Sequence, residues 1–168
     1  MRELRVEDEE SFLAARKILA KDSKTIEFAF DFHPKEAFPE YVKRVAAWKA
    51  GHGLLNGFVP NTYFVGIVGD QLVGRLSLRH ELNDFLRSFG GHIGYVVIPS
   101  ERNKGYATEM LRLGVLEARK LGIGDILISC DVDNEASRRV IEKNGGVYEF
   151  TTQLESLDTQ KDVYWIKN

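Results

Sequence analysis

A short basic segment between an apolar run and a helical pattern has the clearest chemical meaning in this sequence. Residues 94–98 are mostly apolar, and Arg102 and Lys104 follow them just before Gly105, where a helical pattern begins. A helix N-terminus carries unpaired N–H groups and the positive end of the helix dipole, so it suits a bound anion. Gly105 and the small Ala107 let the backbone approach a diphosphate closely. The segment therefore predicts a pyrophosphate site, although its spacing equally allows a tight turn with solvated cations.

Other signatures of nucleotide binding and catalysis are absent from the sequence. It contains no Gly-x-x-x-x-Gly-Lys-Ser/Thr, no Gly-x-Gly-x-x-Gly after a strand, no Gly-x-Ser-x-Gly and no His-Glu-x-x-His. The single cysteine, Cys130, excludes an intramolecular disulfide and a zinc site built on cysteine pairs. Kinase, hydrolase and zinc-enzyme functions lose their usual support, and we expect no metal.

Hydrophobic periodicity predicts seven strands and four helices around this segment. The predicted order is β-α-α-β-β-β-α-β-α-β-β, without repeats or linkers. The strands are expected at 2–6, 62–68, 71–79, 92–98, 125–130, 147–154 and 162–166, and the helices at 8–20, 34–50, 105–121 and 133–144. A short helical turn is expected at 81–89.

The order of the elements predicts the architecture. The βαβαβ run in the second half implies parallel pairing, and Gly69-Asp70 between two strands favours an antiparallel hairpin. We therefore expect one α/β domain over residues 1–168. It would have a central mixed sheet of about seven strands flanked by about four helices.

Composition limits the classes of partner. Hydrophobic residues make up 43% and charged residues 29%, as in ordinary globular domains. The net charge of −2 gives no basic field for a polyanion, so we expect no nucleic acid partner. No run of 18 apolar residues predicts a membrane span. Acidic residues near the start, where a secretory signal would be apolar, favour a cytoplasmic location.

Two motifs together resemble the GNAT family of N-acetyltransferases. Residues 102–107, Arg-Asn-Lys-Gly-Tyr-Ala, are similar to the family's acetyl-CoA signature Arg/Gln-x-x-Gly-x-Gly/Ala. Residues 133–146 look like the family's Asn-x-x-Ala/Ser helix that ends in Lys-x-Gly. The motifs have the expected order, with one strand between them, and cover about the second half of the chain.

The resemblance implies transfer of an acetyl group from acetyl-CoA to a primary amine of a small molecule or peptide, by direct attack in a ternary complex. It also implies cofactor contacts. The main chain of Tyr95, Val96 and Val97 would pair with the pantetheine arm. Asn134 would hydrogen-bond the pantetheine with Ser137 nearby, although a plain helix cap fits Asn134 equally well. The pyrophosphate would lie on the segment of Arg102, Asn103, Lys104, Gly105, Tyr106 and Ala107.

Amine attack on a thioester requires a base and donors for an oxyanion. An alkyl amine, with a pKa of about 10.4, is mostly protonated at neutral pH and must lose a proton directly or through water. A backbone N–H of the strand at 96–97 is a suitable oxyanion donor. Our candidate for the base is His92, since it starts the central strand, although an exposed histidine at a strand end is the more common interpretation of this position. Glu81 and Glu101 are weaker candidates for the base. Glu109 lies in the first turn of the predicted helix at 105–121, where its negative charge interacts favourably with the helix dipole.

The family's usual general acid is missing. Many members carry a tyrosine seven residues after the motif asparagine, and that position is Ile141 here. Tyr106, Tyr148 and Tyr164 are possible substitutes, of which we take Tyr148, and protonation by solvent is the alternative. Cys130 ends a buried strand near the expected pantetheine arm and is interpreted as a core thiol.

The acceptor side is expected where aromatic and acidic residues alternate. Glu27, Phe30 and Asp31 suit a cationic amine through a ring face and carboxylates. The alternative is that the phenylalanine is core and the acids are solvated.

Three hypotheses remain at this point. The leading one is the enzyme. The second is a module that binds acetyl-CoA as a sensor without turnover, which Ile141 allows. The third is an unrelated α/β domain with a chance loop match. The protein is expected to be a monomer or a homodimer, since edge strands near the C-terminus are able to pair with a second copy.

Overall fold

The computed structural model describes residues 1–21, 28–153 and 159–168. Within these ranges it contains seven strands and four α-helices, in the predicted order β-α-α-β-β-β-α-β-α-β-β, and the predicted α/β class is confirmed. The strands are β1 Arg2–Glu3, β2 Asn61–Val68, β3 Gln71–Arg79, β4 Ile93–Val97, β5 Ile126–Asp131, β6 Gly146–Gln153 and β7 Gln160–Ile166. The helices are α1 Glu9–Leu19, α2 Phe38–Ala47, α3 Tyr106–Lys120 and α4 Glu135–Lys143.

The strands form two antiparallel sheets. The first has the order β1-β2-β3-β4 and the second the order β5-β7-β6, and each pairing among the described strands is antiparallel. The expected parallel pairing within one mixed sheet is therefore corrected. Its place would be between β4 and β5, but the hydrogen bonds found between these strands in the described ranges lie at their beginnings.

The core lies on both faces of the first sheet. On one face, α1, α2 and the 3-10 turn Trp48–Ala50 pack aromatic side chains such as Phe12, Tyr41 and Trp48 against Tyr63 and Val65 of β2. On the other face, α3 packs a stripe of small and apolar residues onto β3 and β4 and continues towards β5 and β7. The buried stripe consists of Met110, Leu111, Gly114, Val115 and Ala118.

Gly114 lets α3 approach β3 closely. A Cβ at this position would lie 2.8 Å from Cδ1 of Leu76, which is too short for a normal contact. Gly114 therefore allows α3 to lie close to β3, the strand that pairs with β4.

Two helical segments differ from the prediction. The second helix begins at Phe38 rather than near residue 34, because Pro39 suits a first helical turn and not a helix interior. The turn expected at 81–89 contains one π-helical turn, Leu86–Gly90. No helix in the described ranges is both long and apolar enough to cross a bilayer.

Candidate active site

The segment between β4 and α3 turns sharply because two of its residues have left-handed backbone conformations. After one 3-10 turn at Pro99–Glu101, Asn103 has φ 63° and Gly105 has φ 84°. Asparagine tolerates this region and glycine enters it without strain. A Cβ on Gly105 would meet no atom within 4 Å, so the backbone angle, not crowding, requires the glycine.

This turn presents a row of backbone N–H groups at the start of α3. Among the residues that the structure describes, no hydrogen bond takes the amides of residues 103–108, and the N–H of Glu109 is the first to bond within the helix, to the carbonyl of Gly105 at 3.1 Å. The positive end of the dipole of a 15-residue helix lies at the same place. The segment has the properties of an anion site.

Both cations of this segment are anchored by the protein. Nζ of Lys104 lies 3.0 Å from Oε2 of Glu101, whose side chain is buried. Nε of Arg102 donates to the carbonyl of Val97 at 3.2 Å. Glu101 therefore positions a cation and is poorly suited to act as a base.

The open side of β4 presents main-chain donors and acceptors. The N–H of Ile98 donates to Val73, and the carbonyl of His92 accepts the N–H of Arg79, so the main-chain groups of residues 94, 96 and 98 face β3. The alternation of the antiparallel ladder then directs the N–H and C=O of Tyr95 and the N–H of Val97 away from β3. An extended ligand would find strand-like pairing at this edge.

Strands β4 and β5 are joined at their beginnings. The N–H of His92 donates to the carbonyl of Leu127 at 2.7 Å, and the N–H of Leu127 donates to Nδ1 of His92 at 3.0 Å. Further along, β4 pairs with β3 and β5 pairs with β7. A gap between the two strands therefore opens beyond this junction.

Side chains from β4 and α4 meet beside the gap. The hydroxyl of Tyr95 lies 2.6 Å from Oγ of Ser137. Oδ1 of Asn134 accepts the N–H of Ser137 at 3.0 Å and caps α4. The predicted residues Tyr95, Asn134 and Ser137 thus come together, and the cap engages only the oxygen of the Asn134 side-chain amide.

A sequence model of the acetyltransferase (GNAT) domain matches residues 1–147. The chain belongs to the GNAT acetyltransferase family. The sequence-based prediction of this family, and of an acyltransferase that depends on acetyl-CoA, is confirmed. No curated protein sequence matches the chain significantly.

Solved structures share the GNAT fold at low sequence identity. One is a putative acetyltransferase, YncA, from Salmonella typhimurium with its cofactor acetyl-CoA (14% identity, TM-score 0.66, 99% of this chain and 91% of that chain covered). Another is RimJ from Mycobacterium smegmatis in complex with CoA-disulfide (20%, 0.69, 99% and 80%). A third is a mutant of the spermidine N-acetyltransferase SpeG from Vibrio cholerae (20%, 0.64, 99% and 93%).

The environment of His92 argues against its predicted role as the base of this GNAT domain. The side chain is 7% exposed, and burial, together with the positive charges of Arg79 and Arg87, lowers its pKa to about 4. Its Nδ1 accepts the Leu127 N–H, so the proton of the neutral ring lies on Nε2. The lone pair that a base needs is already engaged.

The three tyrosines considered as the general acid have different surroundings. Tyr148 on β6 is 53% exposed and its hydroxyl bonds Oγ1 of Thr151. Tyr164 is buried, and burial raises its pKa to about 12. Tyr106 packs against the core, where Ile141 is fully buried. Among the described residues, no hydrogen bond connects these three hydroxyls with Tyr95 or Ser137 beside the gap.

Sequence reasoning considered only the main chain of Tyr95 and missed its side chain. The phenol is the one described tyrosine hydroxyl that bonds α4. Burial raises its pKa, so the hydroxyl stays protonated. The signal was available, because Tyr95 shares a strand face with Ile93 and Val97, which pack towards α3.

The predicted acceptor residues have different surroundings. Glu27 lies outside the described residues. The carboxylate of Asp31 is about half exposed and pairs with Arg44 at 3.0 Å, so its charge is neutralised on the surface. The Phe30 ring lies over the guanidinium of Arg75, with 4.4 Å between Cζ and the ring centroid. The half-buried Phe30, not Asp31, thus contacts the sheet.

The burial of Arg75 was not predicted, because the residue pattern of its strand suggests an exposed side chain. Arg75, Ser77 and Arg79 alternate with leucines in β3, which is typical of one solvent-facing side. In the structure, Arg75 is fully buried and its Nη1 donates to the carbonyl of Gly94 at 3.2 Å. This face carries a buried cation next to β4.

The remaining candidates have structural roles. Glu109 pairs with Arg112 at 2.7 Å on the surface of α3, and Glu81 is exposed. Cys130 is buried, and burial raises its pKa to about 11, so it is a protonated core thiol. The part of the chain that the structure describes holds no group of three or more potential metal ligands.

Proposed function

We propose that the protein transfers the acetyl group of acetyl-CoA to a primary amine of a small molecule or peptide, by direct attack in a ternary complex. The observation that carries this proposal is the continuity of two features. The open edge of β4 leads directly into the row of free amides at the start of α3. An extended arm that ends in a diphosphate matches both.

The residues that would hold acetyl-CoA follow from this geometry. Main-chain groups of Tyr95 and Val97 would pair with the pantetheine arm, while Val96 faces β3. The amides of residues 103–107, with the charges of Arg102 and Lys104, would hold the pyrophosphate. The side-chain N–H₂ of Asn134 would donate to the arm, since its oxygen caps α4. Acetyl-CoA supplies a thioester whose carbonyl carbon the amine attacks.

The protein's own groups would handle the charges of the reaction. The N–H of Val97 on the open edge is the donor that we assign to the developing oxyanion. The amine would lose its proton through water rather than to His92, whose lone pair is engaged by Leu127. With acetyl-CoA bound, the Tyr95 hydroxyl would accept from Oγ of Ser137 and donate its one proton in a hydrogen bond to the leaving sulfur. Tyr148, the general acid predicted from the sequence, is the alternative.

The acceptor is an amine whose wider structure we leave open. SpeG from Vibrio cholerae is named as a spermidine N-acetyltransferase, which supports an amine acceptor for a chain of this fold. The contact of Phe30 with Arg75 places an aromatic ring on the side of the sheet where α1 and α2 pack. We propose that Phe30, rather than Asp31, contacts the acceptor.

A sensor that binds acetyl-CoA without turnover is the second candidate. The observation that favours it is that the position of the family's usual general acid holds Ile141, and that the candidate base His92 is already hydrogen-bonded. Ile141 is packed in the core, and His92 is tied to Leu127. Such a module would bind acetyl-CoA and release no CoA in the presence of amines.

Binding and turnover separate the two candidates. Thermal unfolding is measured with acetyl-CoA, ATP or NAD, and a ligand at a hundred times its dissociation constant should add about 2.7 kcal/mol of stability. We expect a shift of several degrees with acetyl-CoA alone. CoA release is then measured with spermidine, short peptides and amino acids. Release above background with an amine supports the enzyme, binding without release supports the sensor, and no shift at millimolar acetyl-CoA would refute both.

A further inference from the structure

The junction of β4 and β5 depends on one imidazole. His92 makes two hydrogen bonds to the same residue, through its backbone N–H to the carbonyl of Leu127 and through Nδ1 to the N–H of Leu127. Both main-chain groups of Leu127 that face β4 are therefore satisfied by a single residue. In a continued ladder, a backbone carbonyl of the neighbouring strand would accept the N–H of Leu127. Here the side chain of His92 accepts it instead, so the backbone pairing ends at this point.

The chain before His92 is held by further contacts. Nη1 of Arg79 donates to the carbonyls of Gly90 and Gly91 at 3.1 and 3.0 Å, at the end of the π-helical turn. Oγ of Ser129 on β5 donates to the carbonyl of Phe89 at 2.6 Å. The segment that carries the imidazole is thus fixed to β3 on one side and to β5 on the other.

The backbones approach too closely here for another residue at position 91. A Cβ on Gly91 would lie 2.7 Å from the carbonyl oxygen of Leu127, and its φ of 65° is left-handed. The backbones of β4 and β5 are close at the junction, and beyond it β4 pairs with β3 while β5 pairs with β7. The gap between the two strands therefore widens away from the junction.

We propose that His92 is a positioning residue, whose Nδ1 clamps Leu127 and so sets the width of the gap that receives the pantetheine arm. The inference rests on the proposed function, because the gap matters only if an acyl donor binds in it. It assigns to His92 no contact with the reacting atoms.

The charges around the imidazole suit this role. The positive charges of Arg79 on β3 and of Arg87 in the π-helical turn both act on the imidazole. Two positive charges and burial keep the ring neutral, and only a neutral ring accepts the Leu127 N–H. A ring that changed its charge during turnover would break this hydrogen bond in each cycle.

Two substitutions separate a clamp from a base. In His92→Asn the side-chain Oδ1 takes the place of Nδ1 as acceptor, but an amide is no base at neutral pH. In His92→Ala the acceptor is lost. We expect the dissociation constant for acetyl-CoA to rise about tenfold in His92→Ala and to stay within about twofold in His92→Asn. The pH profile of kcat/KM should keep its shape in His92→Asn.

Hydrogen exchange of the Leu127 amide tests the clamp without acetyl-CoA. We expect protection in the native protein and in His92→Asn, and at least about tenfold faster exchange in His92→Ala. His80→Ala is the matched control, because His80 bonds Thr62 within the first sheet, and it should leave both Leu127 exchange and acetyl-CoA binding unchanged.

The outcomes that would overturn the clamp are distinct from failure of the proposed function. If His92→Asn loses activity while Leu127 stays protected, or if its pH profile loses an ionisation, His92 is the base. If Leu127 exchanges equally in the native protein and in His92→Ala, there is no clamp. Protection that follows the predicted pattern in a protein that does not bind acetyl-CoA would refute the proposed function, and with it the role of the gap.

Discussion

The hydroxyl of Tyr95 lies 2.6 Å from Oγ of Ser137, so a short hydrogen bond connects β4 with α4 beside the gap between the two sheets. The phenol also lies 3.3 Å from the carbonyl oxygen of Ser137, to which it is able to donate. Since burial keeps the hydroxyl protonated, it is a fixed donor at neutral pH. This relationship is the observation on which the proposed role of the Tyr95 side chain rests.

Replacement of Tyr95 by phenylalanine should lower kcat about tenfold. A hydrogen bond to a charged group contributes about 1.5 to 3 kcal/mol, and 1.4 kcal/mol corresponds to a factor of ten. The KM for acetyl-CoA should change less than about threefold, because the main chain of β4 is unchanged. Steady-state kinetics with an identified amine measures both. Tyr148→Phe is the comparison, and a larger loss of kcat there than in Tyr95→Phe would return the role to Tyr148.

Replacement of Gly105 by alanine should weaken acetyl-CoA binding at least about tenfold. A left-handed backbone costs an alanine about 1 to 2 kcal/mol, so the turn relaxes and its amides move. Isothermal titration with acetyl-CoA measures the effect. Gly122→Ala is the matched control, since Gly122 has φ 77°, an equally open Cβ position, and lies just beyond the other end of α3. Both variants should lose similar stability, and equal loss of binding in both would count against an anion site at Gly105.

Stability should fall as the pH drops below about 6.5, in part because of His92. Its pKa is about 4 in the folded protein and near 6.5 when unfolded, so the unfolded chain binds more protons between these values. The expected contribution to the free energy of unfolding is a loss of about 2 kcal/mol from pH 7 to pH 5. Urea unfolding of the native protein and of His92→Asn measures it. The same pH dependence in both proteins would show that the pKa of His92 is not lowered in the folded protein.

Substitution of Asp31 by asparagine should leave the KM for the amine unchanged within about twofold. The Asp31 carboxylate pairs with Arg44 on the surface, and such exposed pairs contribute at most about 1 kcal/mol to stability. Glu36→Gln, which removes another partner of Arg44, is the control. A clear rise of KM in Asp31→Asn alone would restore the cationic-amine site predicted from sequence.

Local patterns allowed much of the fold to be predicted. The apolar stripe of α3 from Met110 to Ala118, the Gly69-Asp70 hairpin and the glycine turn at Gly105 each depend on residues within a few positions of one another. Their physical causes, helical periodicity and permitted backbone angles, are visible in a short window of sequence.

What could not be predicted depends on contacts between distant parts of the chain. The division into two sheets follows from the pairing of β5 with β7. Among the described residues, the hydrogen bonds between the β4 and β5 segments are those of His92 with Leu127. The pairing of Asp31 with Arg44 and the burial of Arg75 under Phe30 likewise need the fold. A strand in which charged and apolar residues alternate is predicted to have one side facing solvent. The prediction is corrected only when the structure shows which element covers that side.

The open edge of β4 and the amides at the start of α3 have a consequence for the evolution of this fold. Backbone groups are the same in each residue, so a site built from them survives almost any substitution that keeps the strand and the turn. Only the few positions with constrained angles, such as Gly105, are held to one residue type. Side chains elsewhere are left to diverge, and if Phe30 contacts the acceptor, as we propose, this position is free to follow a change of acceptor. A shared fold at 14% to 20% identity is what such an arrangement permits.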